Sequence, residues 1–186
     1  MGGFVNAGGA QHVVEVSPDE KTAYVPAWNG GLQIIDISDP ANPSTRASVT
    51  TAGSAVDVAI SGDGETIFVS ERAGGVEIFD VTDPSNPSLI STYDTPDHAL
   101  RIRLSKDGKT AFIADRHAGW QIVDISDLTS PTKISQIDYG SEVWDVALSD
   151  DNTTAYIAQY GGGISVYDIS ADEPATASRP EPPFAA

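Results

Sequence analysis

Four copies of one pattern follow each other every 44 residues, with no insertion or deletion, and few folds accept that constraint. Ile-Ile-Asp-Ile-Ser at 34–38 returns as Ile-Phe-Asp-Val-Thr at 78–82, Ile-Val-Asp-Ile-Ser at 122–126 and Val-Tyr-Asp-Ile-Ser at 166–170. Asp36, Asp80, Asp124 and Asp168 keep the spacing, as do Gly31, Gly75, Gly119 and Gly163, and Ser17, Ser61, Ser105 and Ser149. A period in the forties made of short apolar runs and tight turns predicts a β-propeller with one four-stranded antiparallel blade per repeat. No helical periodicity competes with it, so the expected class is all-β.

Within a repeat, His12 to Ser17 alternates and sets Val14 and Val16 on one face, the positions of Val58 and Ile60 in the next copy. A turn of Asp, Asn and Gly type follows, residue types that tolerate positive φ or bond their own backbone. The second strand, Thr22 to Ala27, ends at the pair Gly30-Gly31, and a nearly all-apolar third strand, Leu32 to Ser38, reads as packed on both faces. Asp39-Pro40 and Asn42-Pro43 break the ladder before a weaker outer strand, Thr45 to Thr51. The repeats fall at about 8–51, 52–95, 96–139 and 140–183, forming one domain over 1–170, and the last has a degenerate outer strand. Residues 171–186 hold four prolines and read as a tail or linker.

Gly-Leu-Gln-Ile-Ile-Asp-Ile-Ser-Asp-Pro (31–40) and Gly-Val-Glu-Ile-Phe-Asp-Val-Thr-Asp-Pro (75–84) resemble the LVIVD repeat of bacterial and archaeal surface propellers. The Ser-x-Asp segments at 17–24 and 105–112 are similar to the related YVTN repeats. The resemblance spans about residues 8–170 and implies a propeller, mostly of secreted or cell-surface proteins with binding roles. Such proteins usually carry more than four repeats. A shift of 44 lays Phe4-Val5-Asn6 on Ser48-Val49-Thr50, the end of an outer strand, so the expectation is four blades closed by an N-terminal strand, residues 2–7 pairing with the third strand of blade four. The alternatives are half of an eight-bladed dimeric ring, or a fragment of a larger propeller.

Charge narrows the partners. Asp and Glu number 27 against 10 Lys and Arg, a net −17, which repels nucleic acid and anionic lipid. No apolar run approaches the roughly 20 residues of a membrane-spanning helix. Met1-Gly2-Gly3-Phe4 carries no secretory signal, so the chain reads as cytoplasmic if complete, and as extracellular or cell-surface if cut from a longer exported protein. With no cysteine there is neither a disulfide framework nor a thiol nucleophile.

Side chains that vary over a constant scaffold mark the candidate binding surface. At the end where the second-to-third-strand turns meet the loops between blades, these are Trp28, Arg72, His98, Arg116, His117, Tyr139 and Tyr160. Residues 98–133 hold six of the ten basic residues, a patch suited to a carboxylate, a sulfated glycan or an acidic partner, or simply to neighbouring acidic blades. On the inner strands Val13, Asp57, Arg101 and Asp145 share one repeat position. An ion-pair network with Arg101 between Asp57 and Asp145 is expected there, and a channel cation of the calcium type held by the two carboxylates is the other reading. His98 and His117, with Asp94, Asp97 and Asp115 nearby in the layout, form a second place for a divalent metal. His12 occupies an apolar position shared with Val56, Leu100 and Trp144, and reads as packed.

No nucleophile elbow or phosphate-cradling loop appears, so no catalytic residues and no obligatory cofactor are assigned. The expectation is a non-enzymatic module that binds a protein or glycan through the loop-rich face, with a homodimer among its possible states. The alternative is a metal-assisted hydrolase or lactonase using His98 and His117.

Overall fold

In a computed structural model, which describes residues 3–6, 8, 13–138 and 140–170, the repeats become successive antiparallel sheets. The first holds β1 (Glu15–Val16), β2 (Thr22–Pro26), β3 (Leu32–Asp36) and β4 (Ser44–Val49). β5 (Asp57–Ile60), β6 (Thr66–Ser70), β7 (Val76–Asp80) and β8 (Ser88–Tyr93) form the second. The third comprises β9 (Arg101–Leu104), β10 (Thr110–Ala114), β11 (Trp120–Asp124) and β12 (Thr132–Ile137). The fourth has three strands among the described residues, β13 (Val143–Leu148), β14 (Thr154–Gln159) and β15 (Gly163–Asp168). Each sheet is a simple meander in sequence order, as expected of propeller blades.

The recurring residues earn their places by local bonding. Ser17 Oγ donates to Asp19 Oδ1 at 2.6 Å and accepts from the Thr22 N–H at 3.0 Å, closing the first turn of the blade. Ser105, Asp107 and Thr110 repeat this, as do Ser149, Asp151 and Thr154. Asp124 accepts from both the N–H and the hydroxyl of Ser126, and those two bonds hold its carboxyl below the usual range. The four aspartates at this repeat position thus fasten the exit of the third strand. A bulge at one repeat position, after Ile34, Ile78 and Ile122, bends the outer strand of the first three blades.

The core lies between blades. Tyr24, Leu32 and Ile34 of blade one meet Val58, Ile67 and Phe79 of blade two. Phe68, Val76 and Ile78 then meet Ile102, Ile113 and Val123, and Phe112, Trp120 and Ile122 meet Val146, Ile157 and Tyr167. Each sheet buries both faces only because a neighbour stands on each side. At the two ends of the series that condition fails. Val14 and Val16, predicted to lie on a constant apolar face, are exposed, although Val58 and Ile102 at the Val14 position are buried. Ile164 and Val166 are 72% and 55% exposed, where Trp120 and Ile122 are at 0% and 1%.

Among the described residues no N-terminal strand joins β15, contrary to the expected closure. Residues 3–6 instead run beside the first blade, where Gly3 N donates to Pro40 O at 2.8 Å. The predicted tail at 171–186 lies outside the described residues.

Candidate ligand-binding cleft

In the first three blades the turn after the second strand carries a side chain on backbone of an unusual kind. Trp28, Arg72 and Arg116 take positive φ of 51°, 52° and 38°, a region that disfavours side chains. The next blade holds them there. Trp28 N donates to Ala55 O at 2.9 Å, and Ala55 N returns a bond to Trp28 O at 3.2 Å. Arg72 pairs with Ala99 in the same way, and Arg116 bridges to Val143. One short bridge thus locks each turn to the start of the following inner strand. Tyr160, at the same position in blade four, has no such bridge among the described residues, and Tyr160 N bonds to Glu142 O of its own blade.

These turns and strand starts enclose a cleft of about 350 Å³ lined by Trp28, Val56, Arg72, Leu100, Arg101, Arg116 and Trp144. That volume is at the small end of ligand sites, which run from about 300 to 1,000 Å³. Arg72 sets its guanidinium carbon 5.1 Å from the centroid of the Trp28 ring, within cation–π range. Arg101 Nη1 donates to Leu100 O at 2.8 Å. Arg116 is ion-paired through Nη2 to Glu142 Oε1 at 3.1 Å, and that bond, chiefly, holds the Glu142 carboxyl below its ordinary value. The other Glu142 oxygen accepts from Trp144 Nε1 at 2.9 Å. Tyr160 extends the aromatic wall, its ring 6.2 Å from that of Trp144.

Of the residues expected at the binding face, the fold thus brings together Trp28, Arg72 and Arg116, with Tyr160 on the rim. His98 and His117 stand beside the cleft, on the loops of blade three. His98 Nδ1 lies 2.6 Å from Asp97 Oδ1, while Asp97 Oδ2 accepts from the His117 backbone N–H. The His117 ring instead approaches Glu142, with Nε2 3.2 Å from Oε1. The two imidazoles are therefore served by different carboxylates, and among the described residues no three His, Asp or Glu side chains are grouped to hold a metal ion. Tyr139 and His12 lie outside the described residues.

The axial network takes a different arginine from the expected one. Arg103, two residues on, donates from Nη1 to Asp57 Oδ2 at 3.1 Å and reaches Asp145 Oδ1 at 3.8 Å through Nη2. Asp57 leans onto the neighbouring inner strand, where its Oδ2 also accepts from Ile102 N at 2.9 Å, and this offset selects Arg103. Burial raises the Asp57 carboxyl, with the Ile102 N–H, then the charge of Arg103 and then that of Arg101 opposing it, so Arg101 acts on the axial acid at long range while Arg103 bonds it. Arg101 is left facing the cleft. Val56, Leu100 and Trp144, which share one repeat position in blades two to four, join it there.

Behind the cleft, a second polar layer fixes the loops. Glu71 Oε2 accepts from Gly53 N at 2.7 Å, and Asp115 Oδ2 accepts from Gln121 Nε2 at 2.7 Å and Asp97 N at 3.3 Å. Burial pushes Asp115 up to about 6. Burial, and then the adjoining Glu77 carboxyl, drive Glu71 well above the carboxylate range.

Comparison with known proteins agrees with this architecture. Among curated proteins none matches the chain. A crystal structure of a functionally unknown protein from Desulfotomaculum acetoxidans DSM 771 superposes with a TM-score of 0.69 at 15% identity, over 87% of this chain and 69% of that one. A candidate 6-phosphogluconolactonase of Bacteroides uniformis ATCC 8492 gives 0.73 at 19% identity, over 85% and 50%. The β-propeller domain of Myceliophteria thermophila Cps50 (Swd1) gives 0.71 at 10%, over 86% and 58%. Identities this low speak for the fold alone, and the chain spans about half the length of the last two. The LVIVD repeat matches residues 8–51, 52–95, 99–138 and 140–174, so the chain belongs to the LVIVD repeat family.

Proposed function

We propose that the chain is a non-enzymatic interaction module, an acidic propeller that engages a protein or glycan through its loop-rich end. The observation that carries this reading is the convergence of Trp28, Arg72 and Arg116, from three successive blades, on one cleft. Aromatic and arginine side chains supply most of the energy at binding surfaces. Here they are presented on backbone that the next blade locks in place, so little ordering remains to be done on binding. A secreted or cell-surface setting belongs to the same proposal, supported by a surface of charge −17 that stays well hydrated.

The test is an array of acidic and neutral glycans and peptides probed with the chain, alongside a Trp28→Ala/Arg116→Ala/Tyr160→Ala variant whose circular dichroism and melting are checked first. Selective capture by the parent and its loss in a folded variant is the expected result. Capture retained by the variant rejects the assignment.

A further inference from the structure

Two of the three arginines in the cleft are unspent. Among the described residues neither Arg72 nor Arg101 has a carboxylate within 4.0 Å, whereas Arg46, Arg103 and Arg116 each do. Arg101 adds a long-range attraction to the buried Asp57 carboxylate but, like Arg72, makes no direct ion pair among the described residues. In a chain of net charge −17, two guanidinium groups thus face one small cleft with no carboxylate bonded to either. Arg72 is steadied by the Trp28 ring and Arg101 by the Leu100 carbonyl, neither of which neutralises charge. Each keeps donors of its planar fork for an incoming anion.

We propose that this cleft binds a carboxylate borne on a six-membered ring, with Arg72 and Arg101 as the charge partners and the Trp28 and Trp144 indoles as the apolar walls. The inference rests on the loop-rich end being the binding face, and it names the ligand class. The walls call for a flat body about one ring in size, because Val56, Leu100 and the two indoles bound a volume of about 350 Å³. The charge calls for a monoanion. Glu142 sits at the rim, its two oxygens already taken by Arg116 and Trp144, and its fixed negative charge opposes a second one on the ligand. The field of the whole chain opposes a dianion twice as strongly as a monoanion. A planar two-oxygen group meets a guanidinium fork in register. A sugar acid and an aromatic acid share this chemistry.

Trp28 and Trp144 provide the readout. The 186-residue chain is titrated at constant ionic strength with glucuronate and with benzoate, each beside its neutral counterpart, glucose and benzyl alcohol, while tryptophan fluorescence is followed. The expected result is a saturable change with at least one acid and none with its neutral counterpart. The acid that saturates identifies the source, sugar or aromatic. Arg72→Gln/Arg101→Gln should bind that acid more than about tenfold more weakly, since the variant loses both charge-assisted hydrogen-bonding forks. Arg101→Lys, which keeps the charge without the fork, should fall between them.

The proposal is overturned if neither acid saturates, if the neutral compound matches its acid, if inorganic phosphate competes as strongly as the acid, or if the folded double glutamine variant binds as the parent does. A neutral partner captured on the array, with a cleft silent to both acids, removes this inference and leaves the interaction reading standing. Silence in both experiments removes both.

Discussion

Arg103 Nη1 stands 3.1 Å from Asp57 Oδ2, so the second and third blades are joined at the axis by a charged pair of which the acid is 1% exposed and the base 41%. Removing the arginine leaves a buried carboxylate with the Ile102 N–H. Arg103→Met should cost about 2 kcal/mol in urea unfolding, below the roughly 3–5 kcal/mol of fully buried pairs because water screens the exposed partner. In a double-mutant cycle with Asp57→Asn, a coupling below about 0.5 kcal/mol would deny the pair its role.

The Glu71 carboxyl makes stability depend on pH. The Glu71 value is raised above its ordinary 4.5, so the folded chain holds a proton that the unfolded chain has released. That contribution is complete below 4.5 and is lost as pH rises through the raised value. Melting temperature should therefore drift down from pH 5 toward pH 9. Glu77→Gln, which copies the Gln121–Asp115 bond of the next blade, should flatten the drift and raise stability at pH 8 by about 1–2 kcal/mol. Parallel pH profiles for parent and variant would contradict the raised Glu71 value and the part Glu77 plays in it.

Two glycines at one repeat position separate backbone strain from crowding. Gly119 and Gly163 have φ of 83° and 78°. A Cβ on Gly119 would stand 2.0 Å from Ile137 O of the outer strand, whereas nothing lies within 4 Å at Gly163. Gly163→Ala should cost only the left-handed penalty, about 1–2 kcal/mol, and Gly119→Ala at least about 2 kcal/mol more. Guanidinium denaturation of the two variants compares them directly.

The same contrast holds for side chains. Ile122→Ala opens a void between blades three and four and should cost about 2–5 kcal/mol. Val166, at the corresponding place in blade four, faces outward, and Val166→Ala should stay within about 0.5 kcal/mol. A large loss at Val166 would mean that another surface covers this face in solution.

Much of the blade was legible from spacing alone, and for a local reason. Ser17, Asp19 and Thr22 bond within five residues, Asp124 bonds to Ser126, and Gly31 turns the chain back beside its own strand, so each repeat carries its own instructions. Part of the candidate face was legible too, since Trp28, Arg72 and Arg116 stand 44 residues apart and a meandering blade must return all three to one end of the disc.

What remained hidden depends on how one blade sits against the next. Arg101 and Arg103 lie two apart on β9 and point the same way, so sequence cannot rank them. The lean of Asp57 onto Ile102 N gave the axis to Arg103 and the cleft to Arg101. Left-handed φ at a tryptophan and two arginines carries no compositional signal, because the bridges that enforce it come from Ala55, Ala99 and Val143 of the following blade. Val14 and Val58 share a pattern but differ in burial, since burial is a property of the neighbouring sheet. By itself the sequence determined the blade, whose turns and strands are closed by bonds between near residues. Only the tertiary structure decided which charges pair and which side chains gather around the cleft, because those contacts cross from one 44-residue unit to the next.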